Sequence, residues 1–223
     1  MNPNPTKALA ISNRENQSIF VLIVLYIVGV FGILIPFHSD FLLLTPLNLL
    51  ISLALVLWNH PKWNTGIVIA LILSWIVGFS IEHLGVSTGQ IFGEYAYGPV
   101  LGYKLWNTPL MIGINWMLLI YCTSIGVNYF LPKSGWFLKS ILAATLMVSL
   151  DVLIEPVAIH YDFWQWTEPE VPLQNYIGWW LLSFCLNSLF VISDDYNSRN
   201  KVALYLLIIQ FLFFWVIGLF LLG

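Results

Sequence analysis

The sequence predicts an all-α integral membrane protein, a bundle of about seven transmembrane helices with aromatic and glycine-rich caps at its outer end. Three observations predict it. The first is composition: 59% of the 223 residues are hydrophobic and 9% charged, with a mean hydropathy of +0.85, whereas soluble domains carry about 25% charged residues. The second is a set of seven apolar runs, at about 18–37, 41–58, 65–86, 108–131, 137–160, 174–192 and 202–222. Each approaches the roughly 20 residues that a helix needs to cross the hydrocarbon core. The third is charge. Lys7, Arg14, Lys62, Lys133, Lys139, Arg199 and Lys201 fall at the amino terminus or in the second, fourth and sixth connections, and Lys104 alone falls on the other side. The positive-inside rule then puts the amino terminus in the cytoplasm and Gly223 outside, across the cell (inner) membrane. A wrong helix count would have mixed the two sides.

Taken in order, the elements are bounded by helix breakers and polar clusters. Met1 to Gln17 is polar and lacks a cleavable-signal layout, because the run after it is of spanning length. Pro36 to Asp40 closes the first helix and Asn59-His60-Pro61-Lys62 the second. The third helix ends near Glu82 and leads into Gly85 to Pro99, a stretch with four glycines and three aromatics. Such a segment is neither helix interior nor flexible linker, and it reads as a folded or re-entrant cap over the outer end of the bundle. The fourth helix carries Asn115-Trp116 and stops at Pro132-Lys133-Ser134-Gly135. The fifth contains Asp151 and Glu155, and His160 to Pro172 after it reads as a second aromatic cap on the same side. The sixth begins near Asn175, Ser193 to Lys201 follows it, and the seventh completes a single polytopic domain over 1–223. Cys122 and Cys185 both lie in apolar runs and do not report a redox compartment.

Acidic residues segregate opposite to the basic ones. Glu15, Asp194 and Asp195 are expected inside, while Asp40, Glu82, Glu94, Asp151, Glu155, Asp162, Glu168 and Glu170 belong to the outer side or the outer half of the membrane. A net charge of -3 with few basic residues argues against nucleic acid or a phosphate-rich partner. Asp151 and Glu155 lie one turn apart inside an apolar run, and an intramembrane acid is a functional-site hypothesis by default. From the helical rise, Asp151 is roughly 13 Å and Glu155 roughly 7 Å below the outer boundary. Glu82, Asn115 and Asn175 reach the same outer half, so all five can converge. Trp75, Gly78 and Glu82 share one face of the third helix, as an aromatic wall leading to a carboxylate would. The plainer alternative is that these acids only pair with Asn, Tyr and Trp donors between helices.

Several chemistries do not fit. Metal-dependent hydroxylation needs many His ligands, yet His60 is on the wrong side and His38, His83 and His160 lack the i, i+4 spacing of a helical metal pair. Prenyl transfer needs two acidic clusters and cations for diphosphate, and only Asp151-x-x-x-Glu155 resembles half of that. A retinal Schiff base needs a lysine in the last helix, and Val202 to Gly223 has none. Carboxylic acid chemistry on an apolar substrate fits: a neutral, desolvated carboxyl can protonate an alkene, and aromatic faces stabilise the cation that forms.

The residues also carry a resemblance. Glu82-x2-Gly85-x2-Thr88-Gly89-x2-Phe92-Gly93-x-Tyr95-x-Tyr97, then Gly102, Leu105, Pro109 and Asn115-Trp116, then Asp151-x3-Glu155-Pro156, Trp164-x-Trp166 and Pro172-x2-Asn175-x2-Gly178-Trp179 resemble the membrane carotenoid biosynthesis family that includes the carotenoid 1′,2′-hydratases and bisanhydrobacterioruberin hydratases. The likeness spans about residues 75–180. Glu155-Pro156 stands where an Asp-Pro pair is expected, and Glu170-Val171 where a glycine is expected before Pro172. The resemblance implies a cofactor-independent hydro-lyase that adds water to the terminal double bond of an acyclic ψ-end carotenoid, with no redox cofactor and no metal. Asp151, the deepest acid, would protonate the alkene, Glu155 would orient the water, and Glu82 is the second candidate for either role. Asn115, Asn175 and Tyr95 would donate hydrogen bonds, and Trp75, Trp116, Trp164 and Trp166 would line the polyene channel. The expected partners are a hydrophobic polyene, the lipid bilayer and other enzymes of the same pathway. Two rivals stay open. A lycopene-type cyclase would share the protonation and differ in excluding water, and a carotenoid carrier or transporter would need a route that the cytoplasmic halves of the helices do not supply.

Overall fold

A computed structural model describes residues 5–35, 40–194 and 198–222, with side chains from 11 to 221 within those stretches. His38, Asp195, Gly223 and the side chain of Lys7 fall outside the described residues. Seven helices are long and apolar enough to cross a membrane: α1 Pro5–Leu34, α2 Thr45–Trp58 with a short 3₁₀ turn Phe41–Leu44 before it, α3 Thr65–Thr88, α4 Leu110–Phe130, α5 Trp136–His160, α6 Leu173–Ser193 and α7 Lys201–Leu222. Among the described residues four short strands join them: β1 Tyr95–Tyr97, β2 Lys104–Leu105, β3 Thr108–Pro109 and β4 Trp164–Trp166. The protein is an all-α membrane bundle, and every apolar run read from the sequence is one of its helices.

The largest departure is in α1, which begins at Pro5 rather than near residue 18. Its polar first turns have a partner in the α2–α3 connection. Arg14 Nε donates to Asn59 Oδ1 at 3.0 Å, Asn59 Nδ2 donates to Ser18 Oγ at 2.8 Å, and the Arg14 guanidinium lies 5.8 Å from the centre of the Trp58 ring. At the other end α1 stops at Leu34 instead of 37, since the residue before a proline is pushed out of the α region.

Helix α4 is the axis of the bundle, and its most apolar window is 72% buried, against 22% for α1 and α2. It meets α3 through two reciprocal contacts in which a glycine faces an indole. A Cβ on Gly78 would come within 2.5 Å of Trp116, and one on Gly113 within 2.9 Å of Trp75. Small residues let the two backbones approach where Leu or Ile would hold them apart. Apolar side chains on α1, the 3₁₀ turn and α2 stay exposed toward the surroundings, Val28, Leu44 and Leu47 each by more than half, as lipid-facing positions do.

The two ends of the bundle differ. At the end formed by the α2–α3 and α6–α7 connections, buried polar groups bond one another: His60 Nδ1 to Tyr121 Oη at 2.8 Å, Asn200 Nδ2 to the same hydroxyl at 2.8 Å, and Ser198 to both oxygens of Asp194. At the opposite end β1 and β4 form an antiparallel ribbon that covers the helix ends. The two caps expected from the sequence are thus one paired structure.

Candidate active site beneath the ribbon

The site is assembled by the ribbon register. Tyr95 lies opposite Trp166 and Tyr97 opposite Trp164. Because strand side chains alternate faces, residues two apart point the same way, and all four aromatics turn toward the helices. Gly98 permits the pairing, for a Cβ there would come within 1.8 Å of the Asp162 carbonyl oxygen. Its amide donates to Phe163 O at 2.9 Å, and Thr167 N donates to Glu94 O at 2.9 Å beyond the other end of the ribbon. Below it Phe92 is 1% exposed and wedged between α3 and α6, where Gly85 and Gly178 leave room for its ring.

Each strand supplies two donors to one carboxylate. Tyr95 Oη and Tyr97 Oη donate to Glu82 Oε2 at 2.6 and 2.7 Å, and Trp116 Nε1 donates to Glu82 Oε1 at 2.9 Å. Trp164 Nε1 and Trp166 Nε1 both donate to Glu155 Oε2 at 3.0 Å. Asn175 Nδ2 on α6 bridges the remaining acids, 3.1 Å from Glu155 Oε1 and 3.3 Å from Asp151 Oδ2. Burial, and then the neighbouring Glu82 carboxylate, push the Tyr95 and Tyr97 hydroxyls well above the ordinary phenol value of 10.0. Both therefore remain protonated donors at any physiological pH.

Glu82, Asp151, Glu155 and Asn175 are each at least 97% buried, at 1%, 1%, 3% and 2% exposure. They line one pocket with Tyr95, Tyr97, Ile112, Trp164, Trp166 and Trp179. Its free volume is about 10 Å³, room for about one water. Beside it runs a much larger apolar groove of about 220 Å³, bounded by α1, the 3₁₀ turn, α2, α4, α5 and α7 and walled by side chains such as Leu25, Phe41, Leu49 and Phe213. Ile112 and Trp164 line both, so the acid pocket and the groove share a wall at these two side chains. Val28, Leu44 and Leu47 line the groove and are also exposed, which opens it sideways toward the bilayer.

Four of the five polar residues expected to converge do so, and two expected residues sit elsewhere. Asn115 lines the apolar groove rather than the acid pocket. It precedes Trp116, and neighbours on a helix point about 100° apart, so the turn that aims Trp116 at Glu82 aims Asn115 away. Trp75 also misses the pocket: it stacks on Phe79 with ring centroids 6.4 Å apart and packs over Gly113. It shares a helical face with Glu82 but lies seven residues earlier, about 10 Å deeper. The wall next to Glu82 is Trp116, whose ring centroid is 4.4 Å from that of Trp179. Tyr97, Trp179 and Ile112 are site residues that the sequence reading did not single out for a role. Tyr97 is signalled by its i, i+2 relation to Tyr95 on a strand, and Trp179 by its i, i+4 relation to Asn175 on a helix.

A bisanhydrobacterioruberin hydratase of Haloarcula japonica is 29% identical to this chain over 143 residues, covering 58% of this chain and 46% of the relative. The chain thus spans about half the length of the curated relative that it matches. No solved structure matches. A family model described as carotenoid biosynthesis protein matches residues 17–222, which takes in α1 from residue 17 onward, the other six spans and the whole ribbon. The chain belongs to the carotenoid biosynthesis protein family.

Proposed function

We propose that this protein is a carotenoid hydratase, a cofactor-independent hydro-lyase that adds water across the terminal double bond of an acyclic ψ-end carotenoid. The observation that carries the reading is the unequal sharing of donors among the three buried acids. Glu82 and Glu155 each accept three hydrogen bonds, the pattern that satisfies an ionised carboxylate. Asp151 accepts one long bond from Asn175 among the described residues. It is the acid best suited to hold a proton and deliver it.

The polyene chain lies in the apolar groove, and its end reaches past Ile112 and Trp164 to the acids. Asp151 transfers its proton to the less substituted alkene carbon, leaving a tertiary cation that faces Trp164, Trp179 and Tyr97. Water in the pocket, held by Glu155 and Asn175, adds to the cation and gives up a proton to Glu155. That proton returns to Asp151, so the net change is one water added to one double bond. Glu82 holds the ribbon in place through Tyr95 and Tyr97 and adds fixed negative charge beside the cation. The relative's hydratase name and the family membership support the same class of reaction.

Expression in hosts that accumulate lycopene or γ-carotene, followed by product mass, tests the reading. Hydration adds the mass of one water. A product of unchanged mass with a new ring would mean that the cation is captured by a neighbouring double bond, and recovery of unchanged substrate would point to a carrier.

A further inference from the structure

The groove is mostly apolar, but Tyr26, Thr45, Asn48, Asn115 and Gln210 also line it. Gln210, near the middle of α7, is 4% exposed, and its Oε1 has no hydrogen-bond partner among the described residues. Tyr26 on α1 lies beside it, close also to Ser52 on α2. Ser52 Oγ donates to Asn48 Oδ1 at 3.1 Å. Gln210, Tyr26 and Asn48 all line the groove. A buried amide oxygen left without a donor is costly, and a hydrocarbon chain offers it none. Among Leu25, Leu49, Phe213 and Phe214, a leucine would fill the same space without that cost.

We propose that Gln210 is a specificity-determining residue that recognises a hydroxyl on the isoprenoid chain lying in the groove, so that the preferred substrate already carries an alcohol away from the double bond to be hydrated. A hydroxyl suits this atom because it both donates and accepts, meeting either end of the amide. The proposal rests on the chain occupying the groove as argued above. It places the reaction after an oxygenation or hydration of the same polyene.

The test compares two acyclic carotenoids in lipid vesicles, one with two ψ ends and one with a tertiary alcohol already replacing one of them. Equilibrium binding is read from the polyene absorption shift in Asp151→Asn protein, where no turnover intervenes. Competition between the two substrates in the wild type gives the ratio of kcat/KM. The alcohol should bind several-fold to about tenfold more tightly, the worth of one neutral hydrogen bond. Gln210→Leu, and Gln210→Met as a second variant of similar length, should erase that ratio while the unhydroxylated chain binds as well as before. Equal binding of both carotenoids by the parent protein overturns the proposal, as does a ratio that survives in both Gln210 variants. If neither carotenoid binds, the groove assignment itself falls and the Gln210 subsite falls with it.

Discussion

Asp151 differs from the other two acids by what it lacks, and that difference decides what each substitution should do. Asp151→Asn keeps the size and the contact with Asn175 but cannot donate a carboxylic proton. Hydration should fall by about 10²- to 10⁴-fold or more, the usual worth of a positioned acid, with the protein still inserted. Glu155→Gln should cost less if that group only handles the water. Glu82→Gln is different again: it turns an amide N–H toward hydroxyl and indole donors, so it should loosen the ribbon before it touches chemistry. Initial rates and thermal stability measured on the same three variants separate these effects. Near-normal turnover by Asp151→Asn would move the proton donor elsewhere. At this scale the sequence was informative for the acids, because charge inside an apolar run is conspicuous. It was uninformative about the sharing of donors, which depends on strands far apart in the chain meeting in one register. Asn115 lines the groove instead of the acid pocket and Trp75 lines neither, because a place in a site depends on depth and face at once.

Among the elements, the β1–β4 ribbon carries the most consequence, and Gly98 is where it is most easily broken. Gly98→Ala puts a methyl against the Asp162 carbonyl, at 1.8 Å in the present geometry. The strands must separate, and the four donors to Glu82 and Glu155 leave with them. Hydrogen exchange should show faster exchange in both strands, with activity lost and the helices still protected. The connections at the other end make a pH prediction. His60 Nε2 donates to the Lys62 carbonyl at 3.0 Å, which leaves Nδ1 to accept from Tyr121 Oη. Burial pushes the imidazole below its ordinary 6.5. Its contribution to stability is therefore fully present above about pH 6.5 and is lost as pH falls toward the folded value. Melting temperature in detergent should drop through that range, and His60→Asn should flatten the dependence. Sequence patterns located both connections through their breakers, but a two-residue alternation is too short a signal to announce a strand. The caps were legible as folded and not as paired.

For the whole molecule, the seven helices were readable because hydropathy reports the solvent directly, and a bilayer tolerates few exceptions. Packing was less so: that α4 would be central and α1 and α2 peripheral depends on where Gly78 and Gly113 let backbones close. Orientation rests on the basic residues, and the proposed arrangement puts the ribbon outside. A reporter fused after Gly223 should be exported, and one placed between Ser193 and Lys201 should read as cytoplasmic. The reverse pattern would put the acids in the inner leaflet. The sideways mouth at Val28, Leu44 and Leu47 has a kinetic consequence. If a polyene enters there, it never passes through water, and the quantity that governs saturation is its mole fraction in the membrane. The enzyme should then show surface dilution: diluting vesicles in buffer at a fixed polyene-to-lipid ratio leaves the rate per protein unchanged, whereas fusing in blank lipid lowers it at constant total polyene. A rate that follows bulk concentration instead would mean delivery from the aqueous side, through the ribbon rather than between α1 and α2.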